Sequence, residues 1–185
     1  MKVAFTKITW GLIIILIDIH IFVDILPNPI GYYLIYQGVV NLTNQIDGEK
    51  KASYLAAILT FISIPSVFIP QNQGDLFLET FSLWSMYPLL LGLLKLVLVF
   101  YIFQLMLDIS RLAEVSNIHQ LTTRLCNSYV ILSLLFYIIE TFSINFVGNG
   151  FNTIKVIVTI VMLIWEIRLL ILVNHYKKVK PISLV

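Results

Sequence analysis

Eight ionisable residues lie within or beside long apolar stretches, where a charge is costly. A charged side chain at mid-bilayer costs at least about 2.5–3.5 kcal/mol on insertion scales. In a membrane protein each such residue therefore needs a counter-charge, a ligand or access to water. These residue types could form ion pairs, carry a proton or hold a charged ligand. The eight are Asp18, His20, Asp24, Lys95, Glu140, Lys155, Glu166 and Arg168.

Depth along the chain groups three of these residues. At a rise of about 1.5 Å per helical residue, Asp18, Lys95 and Glu140 lie about 8–15 Å below the outer ends of their apolar stretches. We predict that Lys95 lies within salt-bridge or single-water distance of Asp18 or Glu140, because an unpaired charge there would be expensive. The cluster could be a structural ion-pair network or a ligand or ion site, and the sequence favours neither.

His20, Asp24 and Lys155 are secondary candidates. His20 and Asp24 are four residues apart and share a helix face, so they could move a proton or hold a metal, although a polar contact within the bundle is the commoner use. Asp24 also suits capping of the following turn, and Lys155 could reach the lipid headgroups. Glu166 and Arg168 are expected to reach the headgroups on the other side. We predict no metal site and no cofactor, because the chain has no Cys/His cluster and no catalytic motif.

Composition indicates that most of the surface faces lipid. Of the 185 residues, 59% are hydrophobic and only 12% are charged, whereas a soluble domain has about 25% charged residues. The formal net charge is +2 and the basic residues form no groove-like patch, so we predict no nucleic-acid partner. The single cysteine, Cys126, excludes an internal disulfide.

Six apolar stretches predict an all-α, polytopic membrane bundle that forms a single domain over residues 1–185. A helix needs about 20 mostly apolar residues to cross the bilayer core. The second stretch is short, so a re-entrant hairpin is the alternative there. Pro65 is expected to kink the third span, and residues 110–124 are expected to form a short amphipathic helix on the inner membrane surface. The predicted spans are about 8–26, 28–43, 52–70, 84–107, 125–145 and 153–173.

Basic residues alternate between the connecting segments. Lys and Arg occur in the N-terminal segment, after the second and fourth stretches and in the tail, whereas the segments at 27–29, 71–83 and 146–152 contain none. Because Lys and Arg concentrate in cytoplasmic loops, this pattern places both termini in the cytoplasm.

A short Pro-rich segment is predicted to form the turn between the first two spans. Proline near a helix start is tolerated because its missing N–H would be unpaired there. Together with the upstream Asp18, the stretch from Asp24 to Ile35 resembles the opening of a group of small uncharacterised membrane proteins of Gram-positive bacteria. Those proteins share the pattern Asp-Ile-Leu-Pro-x-x-Ile-Gly-Tyr after an acid-bearing first helix. This chain has Asn28-Pro29 where the group has Asp followed by a bulky residue. The predicted turn residues are Pro27, Asn28, Pro29 and Gly31.

The resemblance implies a bacterial cell membrane and an important turn, and it brings no activity with it. From the residues, we expect a non-enzymatic membrane protein that binds a partner or small ligand at an outward-facing polar pocket, as an accessory, sensing or immunity-type subunit. A small transporter, or a substrate-binding subunit of one, is the alternative. An intramembrane enzyme that uses His20 and Asp24 is the second alternative. The expected partners are the lipid bilayer and either a membrane protein or a small ligand.

Overall fold

The computed structural model describes residues 1–20, 28–46, 50–68, 83–143 and 149–179. The side chains of a few residues at helix ends, Asp18, His20 and Glu140 among them, lie outside the described part. Within these ranges the chain forms six α-helices and no strand. The helices are α1 (Lys2–His20), α2 (Asn28–Ile46), α3 (Lys51–Ile62), α4 (Leu83–Leu112), α5 (Ser116–Ser143) and α6 (Asn149–Tyr176), and a short 3-10 helix (Ile64–Phe68) follows α3.

Three of the helices are long and apolar enough to cross a membrane. They are the segments Tyr87–Leu112 of α4, Ser116–Ile139 of α5 and Thr153–Tyr176 of α6. Their mean hydropathies are 2.3, 1.4 and 2.6, and most of their residues face outward, where lipid would contact them. A shorter apolar segment, Lys51–Val67, covers α3 and the 3-10 helix. These segments indicate a membrane protein.

The second helix is one continuous element. It has 19 residues, which corresponds to about 28 Å at 1.5 Å per residue. A re-entrant hairpin would need a reversal between Asn28 and Ile46, and none is present there. Two of the three residues predicted to form the turn at 27–29 lie in a helix instead, because α2 begins at Asn28. Asn28, Pro29 and Gly31 therefore belong to the first turn of α2, where proline fits, and Pro27 lies outside the described residues.

Two predicted local features differ from the structure. The α-helix α3 ends at Ile62 and Pro65 lies in the 3-10 helix that follows, so the proline ends the helix instead of kinking it. Proline disfavours the α conformation of the residue before it, which explains this early end. The separate amphipathic helix predicted at 110–124 is wrong. Those residues form the end of α4, a turn at 113–115 and the start of α5.

The helices form a ring in chain order. Each helix packs against its neighbours in the sequence, and α6 closes the ring against α1. The pair α1–α2 is antiparallel, because the amino group of Met1 donates to Oε1 of Gln45 at 2.9 Å while Lys7 Nζ donates to Oε1 of Gln37 at 2.7 Å.

The α1–α2 pair is held at close range by glycines. A Cβ added at Gly11 would lie 2.5 Å from the carbonyl oxygen of Gly31, and one added at Gly38 would lie 2.7 Å from the carbonyl oxygen of Ala4. Small residues let helix backbones approach closely in membranes. Gly11, Gly31 and Gly38 therefore allow the close packing of α1 against α2.

The start of α1 and the end of α6 lie at one end of the bundle. The rings of Phe5 on α1 and Tyr176 on α6 are 5.6 Å apart between centroids, and Tyr176 Oη lies 2.7 Å from Thr122 Oγ1 near the start of α5. We call this the terminal end and the opposite one the far end. On α4, α5 and α6, the buried residues nearest the far end are Lys95, Ser133 and Glu166.

These three residues divide α4–α6 into two halves. From them to the terminal end the helices contain a buried core, and we call this the packed half. From them to the far end every described side chain of α4–α6 is exposed or half-buried, and we call this the open half. The core of the packed half includes Leu98, Ile102, Phe103, Met106, Leu169 and Val173.

Candidate functional site

An ion pair joins α4 to α6 at the boundary between the two halves. Lys95 Nζ donates a hydrogen bond to Oε1 of Glu166 at 2.7 Å, and each side chain is only 11% exposed. Both residues lie within the segments that are long and apolar enough to cross a membrane. In such surroundings a charge is tolerated only with a partner, and this pair supplies one to each residue.

The ion pair borders a small cavity among four helices. Its volume is about 10 Å³, which is about the least space that holds one water molecule. Its walls are mostly apolar, so the two charged groups are its main polar features. The lining residues besides the pair are Leu12 and Leu16 from α1, Val99 from α4, Tyr129 from α5, and Leu169 and Leu170 from α6.

One oxygen of the Glu166 carboxylate takes no part in the ion pair. Oε2 is buried and has no hydrogen-bond partner among the described residues. Tyr129 of α5 lines the same cavity as Glu166. A buried acceptor without a partner costs about 1–3 kcal/mol, and more when it is charged. The carboxylate therefore retains an unused capacity to bind a donor or a cation.

Gly92 and Tyr137 lie beside the pair in the open half. Gly92 precedes Lys95 by one turn of α4, and a Cβ there would lie 2.6 Å from the hydroxyl oxygen of Tyr137 on α5. The missing side chain leaves room for this tyrosine between the helices. The tip of Tyr137 therefore lies against α4 about one turn from the ion pair.

The predicted site residues are only partly within the described structure. Of the predicted cluster, Lys95 is buried and paired, whereas the side chains of Asp18 and Glu140 lie outside the described residues. Their contact with Lys95 stays a prediction. Among the secondary candidates, the side chain of His20 and the whole of Asp24 also lie outside, so the proton, metal and enzyme hypotheses built on them stay predictions as well. Lys155 is half-buried on α6, and its carbonyl oxygen accepts a hydrogen bond from Thr159.

The expectation that Glu166 reaches the headgroups is wrong. Glu166 and Arg168 were grouped because both lie near the end of the same apolar stretch. Residues two apart on a helix point to nearly opposite sides, so Glu166 can face inward while Arg168 faces outward. The structure shows that arrangement: Glu166 is buried and Arg168 is exposed. The sequence places Lys95 and Glu166 on opposite sides of the membrane, which argues against their pairing. The long, flexible stem of Lys95 spans this difference in depth.

A second polar cluster at the terminal end was not predicted. Ser110 Oγ lies 2.9 Å from Nδ1 of His119, and Thr122 Oγ1 lies 2.7 Å from Oη of Tyr176. These contacts connect the end of α4 to the start of α5, and α5 to the end of α6. The signal in the sequence was weak, because single hydroxyl residues in apolar helices usually bond to their own helix. Thr122 also does this, since its Oγ1 donates to the carbonyl oxygen of Ile118.

Comparison with known proteins identifies no family for this chain. No protein-family model, curated protein or solved structure matches the chain. Within the described residues, no group of three or more His, Cys, Asp or Glu side chains is placed to hold a metal ion. Inference about the function of this chain therefore depends on the ion pair and its surroundings.

Proposed function

We propose that the chain is a non-enzymatic membrane protein that binds a small charged ligand or a partner at the Lys95–Glu166 pair. One observation carries this proposal. The pair is buried, yet Oε2 of Glu166 has no hydrogen-bond partner among the described residues. A pair that only supported the fold would be expected to have both carboxylate oxygens satisfied, because a partly satisfied buried network is costly.

A zwitterion is the ligand class that suits the site best. Its ammonium group would bind Glu166 and its carboxylate would bind Lys95. Each of these side chains would then exchange the other for a charged group of the ligand. The cavity of about 10 Å³ is too small for such a molecule, so α4 and α6 must separate during binding. The sparse packing of the open half favours this movement, because regions with few buried contacts open at low free energy.

The distribution of basic residues supports an approach from outside the cell. On the terminal side of the Lys95–Glu166 pair, nine Lys and Arg residues lie on or beside the described helices. This asymmetry supports six spans with both termini in the cytoplasm, with the far end and the open half facing outward. The resemblance at Asp24–Ile35 supports a bacterial cell membrane and an accessory, sensing or immunity-type role. The nine residues are Lys2, Lys7, Lys50, Lys51, Arg111, Arg124, Arg168, Lys177 and Lys178.

Thiol labelling of intact cells tests the orientation. In a Cys126→Ser background, cysteines introduced at Gln73 and Asn149 should react with a membrane-impermeant thiol reagent, because both positions then face outward. A cysteine at Asp47 should react only after the cells are opened. Reaction at Asp47 and protection at the other two positions would reverse the proposed orientation.

Ligand-dependent stability tests the site. The protein in nanodiscs is heated with a panel of free amino acids, and native mass spectrometry identifies molecules that co-purify with it. A zwitterion at about 100 times its Kd should stabilise the protein by about 2.7 kcal/mol. The neutral variant Lys95→Met/Glu166→Gln lacks both charges, so it should fold and lose this stabilisation. Arg111→Gln is the control and should retain it. Equal stabilisation of the neutral variant, or none of the wild type, would contradict the proposal.

A small transporter is the second candidate, and the polar cluster at the terminal end favours it. The contacts of Ser110 with His119 and of Thr122 with Tyr176 extend polar groups along the same helices beyond the ion pair. Against this, an apolar core that includes Phe103 and Leu169 fills the space between the two polar regions. Uptake of a stabilising amino acid into proteoliposomes would support transport, whereas binding without uptake would support the first candidate.

A further inference from the structure

Two exposed arginines lie on neighbouring helices near the terminal end. Arg124 is on α5 and Arg168 is on α6, and both side chains face outward from the bundle. An outward-facing arginine on an apolar helix is costly unless it reaches water or an anion. The pair of arginines is separate from the Lys95–Glu166 site, because Glu166 faces inward from the same helix.

A hydrogen bond fixes the relative position of the two arginines. Nε1 of Trp165 on α6 donates to Oγ of Ser128 on α5 at 2.9 Å. Arg124 precedes Ser128 by one turn, and Arg168 follows Trp165 by about one turn. Since α5 and α6 run antiparallel, both arginine backbones lie on the terminal side of this bond and at a similar level.

Trp165 also positions the guanidinium of Arg168. The guanidinium carbon lies 4.8 Å from the centroid of the indole ring, in cation–π geometry. Because Trp165 is itself tied to Ser128, the charge of Arg168 is held beside the groove between α5 and α6. Tryptophan is enriched at the headgroup level of membranes. The tryptophan and the arginines together match the chemistry of that level.

The described acidic residues do not neutralise these arginines. Three acidic side chains are described: Asp108 lies 3.8 Å from Arg111, Glu166 is paired with Lys95, and Glu114 lies in the turn before α5. Arg124 is eight residues from the start of α5, which is about 12 Å along the helix axis. An anion bound at the groove between α5 and α6 would neutralise both charges.

We propose that Arg124, Arg168 and Trp165 form a binding site for the phosphate of an anionic phospholipid headgroup. Guanidinium groups bind phosphate through paired N–H···O bonds. The apolar surface of α5 and α6 beyond Ser128 and Trp165 would contact the acyl chains, and the exposed Ile131, Leu135 and Ile164 belong to that surface. A lipid would satisfy the charges and cover the neighbouring apolar groove at the same time.

Lipid retention tests the proposal. The full chain is reconstituted in nanodiscs that contain phosphatidylglycerol and phosphatidylcholine, then transferred to mild detergent, and retained lipids are counted by native mass spectrometry. Wild type should retain phosphatidylglycerol preferentially. The Arg124→Gln/Arg168→Gln variant should lose this retention about thirtyfold, since each of the two basic residues near a membrane surface contributes about 1 kcal/mol. Lys177→Gln/Lys178→Gln removes the same charge from the same end and should retain lipid as wild type does.

A second variant keeps the test decisive if the glutamine variant does not fold. Arg124→Lys/Arg168→Lys preserves both charges but loses the planar fork, so phosphatidylglycerol retention should still fall several-fold. Unchanged retention in this variant, or an equal loss in the Lys177→Gln/Lys178→Gln control, would show general charge attraction and overturn the proposal. Thermal stabilisation by inorganic phosphate as large as that by phosphatidylglycerol would overturn the assignment to a lipid.

Discussion

The helices α4, α5 and α6 pack differently on the two sides of the Lys95–Glu166 pair. On α4, Leu98 in the packed half is 1% exposed, whereas Leu90 in the open half is 52% exposed. Both residues are leucines on the same apolar helix, eight positions apart. Apolar character alone therefore does not decide where these helices pack, as expected in lipid, where burying a leucine gains little over leaving it against acyl chains.

Shape and polar contacts account for the difference. In the packed half, Tyr176 contacts both the ring of Phe5 and the hydroxyl of Thr122, so one residue connects α6 to α1 and α5. In the open half, the hydroxyls of Thr141 and Thr159 donate to carbonyl oxygens of their own helices, and Tyr87 of α4 donates to Ile62 of α3, not to α5 or α6. The ion pair lies where the interhelical contacts of the packed half end. This position leaves it buried, yet next to the part of the bundle that opens most easily.

Replacement of Lys95, at the boundary between the packed half and the open half, should cause the largest loss of stability. Lys95→Met leaves the Glu166 carboxylate buried without a counter-charge, so the free energy of unfolding should fall by about 3–5 kcal/mol. Thermal unfolding in mild detergent measures the change. Lys95→Met combined with Glu166→Gln should recover much of the loss.

The same experiment decides among the partners of Lys95. Double variants of Lys95→Met with Asp18→Asn or Glu140→Gln should recover less than the one with Glu166→Gln, because Glu166 makes the direct contact at 2.7 Å. Greater recovery with Asp18→Asn or Glu140→Gln would mean that the pair seen here is not the one that matters for stability. The ion pair that matters would then lie nearer the far end, and so would the boundary between the packed half and the open half.

Truncating one leucine in each half should show the next largest effect. Leu98→Ala removes a fully buried side chain from the packed half and should cost about 3 kcal/mol, within the range for cavity formation. Leu90→Ala only exchanges lipid contacts and should cost less than about 1 kcal/mol. Similar losses in thermal stability for the two variants would mean that the open half is packed as tightly as the other.

The sequence predicted the elements better than their packing. Six apolar stretches and the segments between them are local signals, and six helices are found at those places. The predicted and observed helices differ mainly in where they begin and end. The polar start of α5 continues the helix, so Ser116 begins it far earlier than the predicted boundary at 125. In residues 110–124 only part of the apolar side meets the core: Ala113 and Ile118 pack against it, whereas Leu112 and Leu121 are exposed.

The site was predicted in part for a similar reason. Lys95 was identified because a lysine deep in an apolar stretch is costly wherever its partner lies. The choice of partner required the rotation and axial offset of α4 against α6, which a sequence without periodic apolar positions does not encode. On α6 the buried positions Glu166, Leu169, Val173 and Tyr176 follow helical spacing. Most of the residues between them are apolar too, and Glu166 itself is charged, so apolar character alone did not distinguish this inward face from the lipid-facing one.

Two glycines extend the comparison to backbone contacts. A Cβ at Gly11 would meet the carbonyl oxygen of Gly31 at 2.5 Å, so the backbones of α1 and α2 must separate. A Cβ at Gly92 would meet the hydroxyl end of Tyr137 at 2.6 Å, and that side chain can move within the open half. Overpacking costs about 1–3 kcal/mol, while alanine gains about 1 kcal/mol of helix propensity over glycine. Gly11→Ala should lower stability by about 2 kcal/mol, and Gly92→Ala should be nearly neutral. A large loss in Gly92→Ala would show that Tyr137 is firmly held.

Single hydroxyl groups should give the smallest difference between the halves. Tyr176→Phe keeps the ring against Phe5 and removes only the 2.7 Å hydrogen bond to Thr122, which connects α5 and α6. A typical intramolecular hydrogen bond contributes about 0.5–1.5 kcal/mol, so the free energy of unfolding should fall by about 1 kcal/mol. The matched change in the open half is Thr159→Val, which removes a bond within α6 alone. It should leave stability almost unchanged, because no interhelical contact is lost. Equal losses in the two variants, measured by thermal unfolding in the same detergent, would mean that interhelical hydrogen bonds do not distinguish the halves, and the tight packing near Tyr176 would then depend on shape alone.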